Sequence, residues 1–351
     1  MYPKIVQEPQ YDFSDVLIQP QRSRIVSRSH VMLENSYRFK NGATWVGIPI
    51  VAANMDTTGT FDVNKILTKN NMLTAMNKFY TAEDYSAQTF TNHEKNSIMV
   101  STGISDTDFD TLKSILAVTE CKFICIDVAN GYMDSLLHFC TKVRKMYPSK
   151  IIIAGNVATK ERVQELILYG GVDIVKVGIG PGSACTTRVK TGVGIPQLSA
   201  ILECASAAHE AGGYIMADGG ITCPGDLGKA FGGGADFVMV GGQFAGHDEN
   251  PGTIIEENGV KFKEFYGMSS THAMNKHYRE MKKYRSSEGR YLKIPYRGSL
   301  QDTVDDFLGG LRSTCSYVGA SSITKLAEIR GFGLLEDKSI HHFYSQKIAK
   351  K

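Results

Sequence analysis

Eight short apolar runs, each followed by a longer amphipathic stretch, succeed one another from Gly47 onward, and few folds accept that rhythm. The runs are Ile48–Ala53, Met72–Met76, Ser97–Thr102, Phe123–Val128, Ile151–Ala154, Ile174–Val177, Tyr214–Ala217 and Phe237–Val240. Most are apolar on both faces, which predicts parallel strands covered on both sides. In the gaps, Val163, Leu166 and Ile167 recur at helical spacing, as do Leu198, Ile201, Leu202 and Ala205. Ser105, Thr159 and Pro196 stand where helices should start, Gly212 and Gly234 where they should stop. A last helix from about Ser299 to Ser316 carries Val304, Phe307, Leu308 and Leu311 on one face. Eight such units favour an α/β fold closed as a (β/α)8 TIM barrel over an open doubly wound sheet.

The 351 residues fit that barrel as a single catalytic domain, 1–351. Residues 1–46 hold polar and basic clusters, such as Gln21–Arg28, with no strong repeating pattern. The polar stretch from Gly246 to Gly298 is too long for an ordinary βα loop. Following the eighth strand, it falls on the mouth of the barrel and reads as a flap. A net charge of +3 argues against a nucleic-acid partner. The first residues read as no signal peptide, and no apolar run approaches the ~18 residues of a membrane span. Seven cysteines without C-x-x-C spacing or disulfide density point to a reducing cytoplasm.

In such a barrel the chemistry sits just after the strands. Those positions hold Asn54, Asp56, Lys78, Asp127, Asn130, Gly155, Asn156, then Asp218-Gly219-Gly220 and Gly241-Gly242. The last two groups follow strands seven and eight, where bare backbone amides commonly hold a phosphate. The sixth strand runs into a loop with Gly178, Gly180 and Gly182 that presents Cys185, followed by Thr186, Thr187 and Arg188. A polar glycine loop with a nearby arginine favours thiolate character and partial exposure, so Cys185 reads as a nucleophile. The loop carbonyls suit a hard monovalent cation. Cys121, Cys125, Cys140, Cys204, Cys223 and Cys315 read as small buried hydrophobes. No cluster has zinc-ligand spacing. Glu288, between Ser287 and Gly289, is placed on the flap to carry a proton. His272 and His277 read as surface residues.

The run Gly178–Gln197, GIGPGSACTTRVKTGVGIPQ, resembles the signature of the IMP dehydrogenase/GMP reductase family. Similarity extends from Tyr11–Leu17 (YDFSDVL) to Arg312–Gly319 (RSTCSYVG). Three features resemble the reductase branch. The paired CBS regulatory module that dehydrogenases usually insert after the second unit is missing. The flap text Tyr266–Ser270 (YGMSS) and Tyr284–Gly289 (YRSSEG) is reductase-like, and so are Ile124–Tyr132 (ICIDVANGY) and Ser27-Arg28. Three positions depart from the family pattern: Asn77 and Phe79 flank Lys78 where histidines are usual, Thr271-His272 replaces an acidic stretch, and Ile221 stands where a cysteine is common.

The resemblance implies NADPH-dependent reductive deamination of GMP to IMP and ammonia. Cys185 would attack C2 of the purine to give a thioimidate, with Thr187 and Glu288 relaying the proton to the leaving amine. It implies that GMP is held by Asp218, Gly219, Gly220, Gly241, Gly242, Gly267, Met268, Ser269, Arg285, Ser286, Ser287, Glu288 and Gly289. NADPH falls to Ser27, Arg28, Lys78, Asp127, Val128, Ala129, Gly180, Met268, Tyr284, Arg285, Ser313, Thr314, Cys315 and Ser316. Part of that set would come from a neighbouring subunit of a homotetramer. Potassium falls to Gly180, Gly182 and Cys185, with Arg188 closing the loop. Two other readings stay open at this point: a short dehydrogenase oxidising IMP to XMP with NAD, and a non-catalytic sensor of purine nucleotides. A flavin-dependent barrel is a more distant one.

Overall fold

A computed structural model describes residues 5–278 and 286–335. The eight apolar runs form strands β1 (Ile50–Ala52), β2 (Leu73–Ala75), β3 (Ile98–Thr102), β4 (Phe123–Asp127), β5 (Ile151–Val157), β6 (Ile174–Val177), β7 (Tyr214–Asp218) and β8 (Phe237–Val240). Each pairs in parallel with its sequence neighbours, and β8 returns to β1 to close the barrel. Every residue of β1, β2, β3, β6 and β8 is buried, because one side faces the barrel interior and the other a helix.

The helix boundaries follow from local chemistry. Ser105 accepts the Asp108 N–H while the Asp108 carboxylate accepts the Ser105 N–H, a reciprocal cap that starts helix 106–118. Thr159 and Pro196 are also N-cap residues. The last helix spans Leu300–Val318 behind the Ser299 cap and buries Val304, Phe307 and Leu311, with Leu308 only partly covered. Between β2 and β3 lie only the short helices Ala82–Ser86 and Asn92–Lys95, with no inserted module. Among the described residues no helix is long and apolar enough to cross a membrane.

Two regions are more ordered than their sequence suggests. Within the first 46 residues, Asn35–Arg38 pairs with Thr44–Gly47 as a hairpin. Its Tyr37 ring packs 4.4 Å from Phe237 and its Trp45 ring 6.1 Å from Phe123. Those phenylalanines begin β8 and β4, so the hairpin seals the N-terminal end of the barrel and leaves the other end for ligands. Val16–Ile18 pairs with Phe332–Leu334, joining the two ends of the described chain. The flap is likewise no bare loop. It holds an antiparallel sheet of β9 (Ile255–Glu257), β10 (Val260–Tyr266) and β11 (Tyr291–Pro295), with helix Thr271–Tyr278 between the last two strands. Its base is clamped where the Arg297 N–H reaches Gly246 O at 2.8 Å.

Candidate active site

The cysteine loop leaves the end of β6 and is shaped by Arg188. The guanidinium donates to Ile179 O at 3.1 Å, Ile195 O at 2.6 Å and the Asp12 carboxylate at 2.8 Å. Asp12 accepts a second bond from the Gln197 N–H at 2.5 Å, so the N-terminal arm holds both ends of the loop. Gly180 has φ +79°, and a Cβ there would meet Arg188 Cγ at 2.5 Å; only glycine fits beneath the clamp. A guanidinium has no lone pair to offer a cation, so the Arg188 side chain braces the loop and is not a ligand.

The thiol of Cys185 is half-buried and lies 3.2 Å from Thr187 Oγ1, to which it donates. Thr187 Oγ1 in turn donates to the Glu288 carboxylate at 2.7 Å. Backbone bonds hold these groups together: the Thr186 N–H reaches Glu288 O and the Arg290 N–H reaches Ala184 O, both at 2.8 Å. The returning end of the flap therefore pairs with the cysteine loop around Cys185 and Gly289.

The expected nucleotide residues gather around the same loop. A Cβ on Gly219 would meet Pro181 at 2.9 Å, one on Gly242 would meet Ser183 Oγ at 2.9 Å, and one on Gly267 would meet Ala184 O at 2.8 Å. Gly220 lies beside Pro181, and Gly241 beside Met55. Met268 is half-buried next to Gly267, and Ser269 O accepts the Glu288 N–H at 3.3 Å. Ser287 Oγ accepts the Thr271 N–H at 3.2 Å, and Ser286 is exposed beside it. Tyr284 and Arg285 lie outside the described residues.

Asp127 and Asp218 are the last residues of β4 and β7, so ladder pairing fixes their backbones. Between them stands Lys176 of β6, only 1% exposed. Its Nζ lies 2.7 Å from Asp127 Oδ1 and 3.1 Å from Asp218 Oδ2. Asn54 donates to Asp127 Oδ2 and Asn156 to Asp218 Oδ2, both at 2.8 Å. Burial alone would lower the Lys176 pKa, but the two carboxylates outweigh it and raise it. Desolvation would raise Asp127, and the adjacent ammonium reverses that and lowers it. Lys176 was not among the expected site residues. Its signal was a lysine inside an otherwise apolar strand.

The expected cofactor residues fall into two groups. Lys78, Asp127, Val128, Ala129, Gly180 and Met268 line the mouth, with Lys78 close enough to help hold Asp127 ionised. Ser27, Arg28 and Ser313–Ser316 form the second group on the helix layer, where the turn Arg28–His30 packs on helix 300–318. Cys315 in that group is fully buried with its thiol pushed up to about 12 by desolvation, so it faces the core and not a ligand.

His277 corrects an expectation. Its side chain is 14% exposed, and Nε2 lies 2.7 Å from Asp56 Oδ2. The same oxygen accepts Tyr266 Oη at 2.8 Å and Lys276 Nζ at 3.0 Å. The His277 ring also stacks on Phe79 at 3.5 Å. The flap helix is thus clasped to the loop after β1. The pairing was hidden because more than two hundred residues separate Asp56 from Lys276 and His277. His272 is exposed but rests against Tyr266 and Tyr291.

Chemically, the arrangement presents a thiol, a hydroxyl relay and a carboxylate beside glycine backbone and a pair of aspartates bridged by a buried lysine. The IMP dehydrogenase / GMP reductase domain matches residues 10–341. A GMP reductase of Klebsiella pneumoniae subsp. pneumoniae is 54% identical over 346 residues, covering 97% of this chain and 99% of the relative. GMP reductases of Citrobacter koseri and Salmonella newport are each 53% identical over the same shares.

Proposed function

This chain belongs to the IMP dehydrogenase/GMP reductase family, and we propose that within it the chain is the GMP reductase, an oxidoreductase converting GMP to IMP and ammonia with NADPH. The observation that carries the chemistry is the unbroken line from the Cys185 thiol through Thr187 to Glu288. The Cys185 sulfur adds to C2 of the purine as its proton passes through Thr187 to Glu288. Glu288, through Thr187, delivers a proton to the 2-amino group, which departs as ammonia and leaves a C2–S thioimidate. NADPH, when bound, supplies the hydride that replaces sulfur at C2. Release of the thiolate then gives IMP and restores Cys185. Dividing one difficult substitution into two easier steps is what the covalent bond contributes.

Asp218 suits the ribose hydroxyls: Lys176 and Asn156 both bind its Oδ2, so neither uses Oδ1. Backbone at Gly219, Gly220, Gly241 and Gly242 suits the 5′-phosphate. Lys78, Asp127–Ala129, Gly180 and Met268 would hold the cofactor at the mouth. Val26, Met32 and Tyr317 are 94%, 65% and 63% exposed around Ser27, Arg28 and Ser316, an apolar setting that suits contact with another subunit of a homotetramer. In such an assembly the second group of cofactor residues would serve a neighbour's site. The loop carbonyls of Gly180, Gly182 and Cys185 are neutral oxygen donors, as potassium prefers. We place the enzyme in the cytoplasm, where its free thiols would persist.

The test follows reduced-nicotinamide absorbance after mixing protein, NADPH and GMP, with ammonia assayed in parallel. A falling signal with matching ammonia is expected, and Cys185→Ala should abolish both. A flat signal with GMP and a rising one with IMP and NAD would make the chain a compact dehydrogenase. Binding of nucleotide without turnover of either would make it a sensor.

A further inference from the structure

Lys176 has no task in the chemistry above, yet it lies at its centre. Asp127 ends β4, two strands to one side of β6, and Asp218 ends β7, the neighbour on the other. One ammonium therefore bridges the side of the mouth given to the cofactor and the side given to the ribose. Burying a cation is costly, and a lysine serving packing alone would be replaced more cheaply by an apolar residue of similar shape. We propose that Lys176 is a positioning residue that keeps Asp127 and Asp218 ionised together and so couples ribose recognition to the cofactor's side of the site. The inference rests on the assignment of Asp218 to the ribose and Asp127 to the cofactor made above.

The physical reason is charge balance. Two carboxylates near a common cation stay ionised together; without the cation, one of them takes a proton. The groups facing this cluster are few. Asn54 and Asn156 donate to the two carboxylates, Cys125 of β4 lies beside Lys176, and Lys78 acts on Asp127 from the loop after β2. Cys125 is itself pushed up to about 12 by burial and stays neutral. Nothing in that set replaces the positive charge at the Asp218 side.

The experiment compares wild type, Lys176→Met and Asp127→Asn in three readouts. The first is the infrared carboxylic-acid band at neutral pH, which needs no substrate. It is expected to gain intensity in Lys176→Met over wild type, and an unchanged band overturns the proposal. The second is the preference for GMP over 2′-deoxy-GMP, with the pH dependence of kcat/KM. A neutral acid binds a hydroxyl less strongly than a carboxylate, so Lys176→Met is expected to lose about tenfold in KM for GMP and most of its ribose preference. It should also acquire an inflection in that pH profile which wild type lacks. A purely structural lysine would leave preference and pH profile as in wild type. The third is KM for GMP in Asp127→Asn, which keeps the test open if Lys176→Met does not fold. Lys176 then turns wholly to Asp218 and draws it from the ribose, so KM for GMP rises several-fold; an unmoved KM overturns the coupling. Failure of the wild type to turn over GMP counts against the functional reading instead, and the infrared arm then decides on Lys176 alone.

Discussion

Thr187 Oγ1 and Glu288 Oε2 stand 2.7 Å apart across 101 residues of sequence. One belongs to the cysteine loop and the other to the flap, so the proton path is complete only where the returning flap strand is seated beside Cys185. Backbone pairing of Thr186 with Glu288 and of Ala184 with Arg290 sets that seating to within a hydrogen-bond length. Glu288→Gln should therefore lower kcat by about 10²–10³-fold with little change in KM, since the proton transfer acts in the transition state. Thr187→Ala should cost about as much, and the double variant little more, because the two act in series. Steady-state kinetics decide this; fully additive losses would mean the residues work independently.

The clamp on Arg188 makes a separate prediction. Asp12→Ala removes the acceptor of the guanidinium and of the Gln197 N–H, leaving part of a charge without its partner. Urea unfolding should show a loss of about 1.5–3 kcal/mol, the range for a hydrogen bond to a charged group. Turnover should fall with it as the cysteine loop loosens. An unchanged midpoint would show that the N-terminal arm does not hold the loop.

Acid should open the flap clasp. Burial would raise the Asp56 pKa, but bonds from His277, Tyr266 and Lys276 outweigh it and hold it below the ordinary 3.8. A carboxylate lowered on folding stabilises the structure at pH above its unfolded value, and that contribution is lost as pH falls through the folded one. Hydrogen exchange over 271–278 should therefore be slow at neutral pH and quicken below about 3.8, relative to the barrel strands. Asp56→Ala should show the fast exchange already at neutral pH. Equal exchange in variant and wild type would remove the clasp as the flap's anchor.

Thiol reactivity should separate Cys185 from the buried set. Desolvation raises Cys121 to about 11 and Cys125, Cys140, Cys204 and Cys315 to about 12. Iodoacetamide at neutral pH should label Cys185 first and abolish turnover, with GMP slowing both. Mass spectrometry of the modified peptides checks this, and inactivation without label on Cys185 would contradict its role. Cys223, half-buried with its thiol also raised by desolvation, serves as the internal comparison.

Much of this was legible in the residues because it is local. An apolar run covered on both faces announces a buried strand wherever it lies, and eight of them with helical spacers leave few closures. The bounds of β6 and β8 match their apolar runs, and the other strands differ at one or both ends by one to three residues: β5 runs on to Val157, and Asp218 proved to close β7 where the apolar run ends at Ala217. Hydrogen-bond pairing decides a strand's end, and the apolar pattern overshoots it at β1, β2 and β4 and falls short of it at β5 and β7. The hairpin at residues 35–47 was missed because its two strands are short and gain their stability from Phe123 and Phe237, distant in sequence.

By itself the sequence determined the barrel, the cysteine loop and the family, since periodicity and a contiguous motif survive without three-dimensional context. Tertiary structure alone decided the partners of Lys176, Asp12, Asp56 and His277. A charged side chain reads as solvated until a distant opposite charge is brought to it, and only the pairing of β4 through β7 in one sheet brings Asp127 and Asp218 within reach of the Lys176 ammonium.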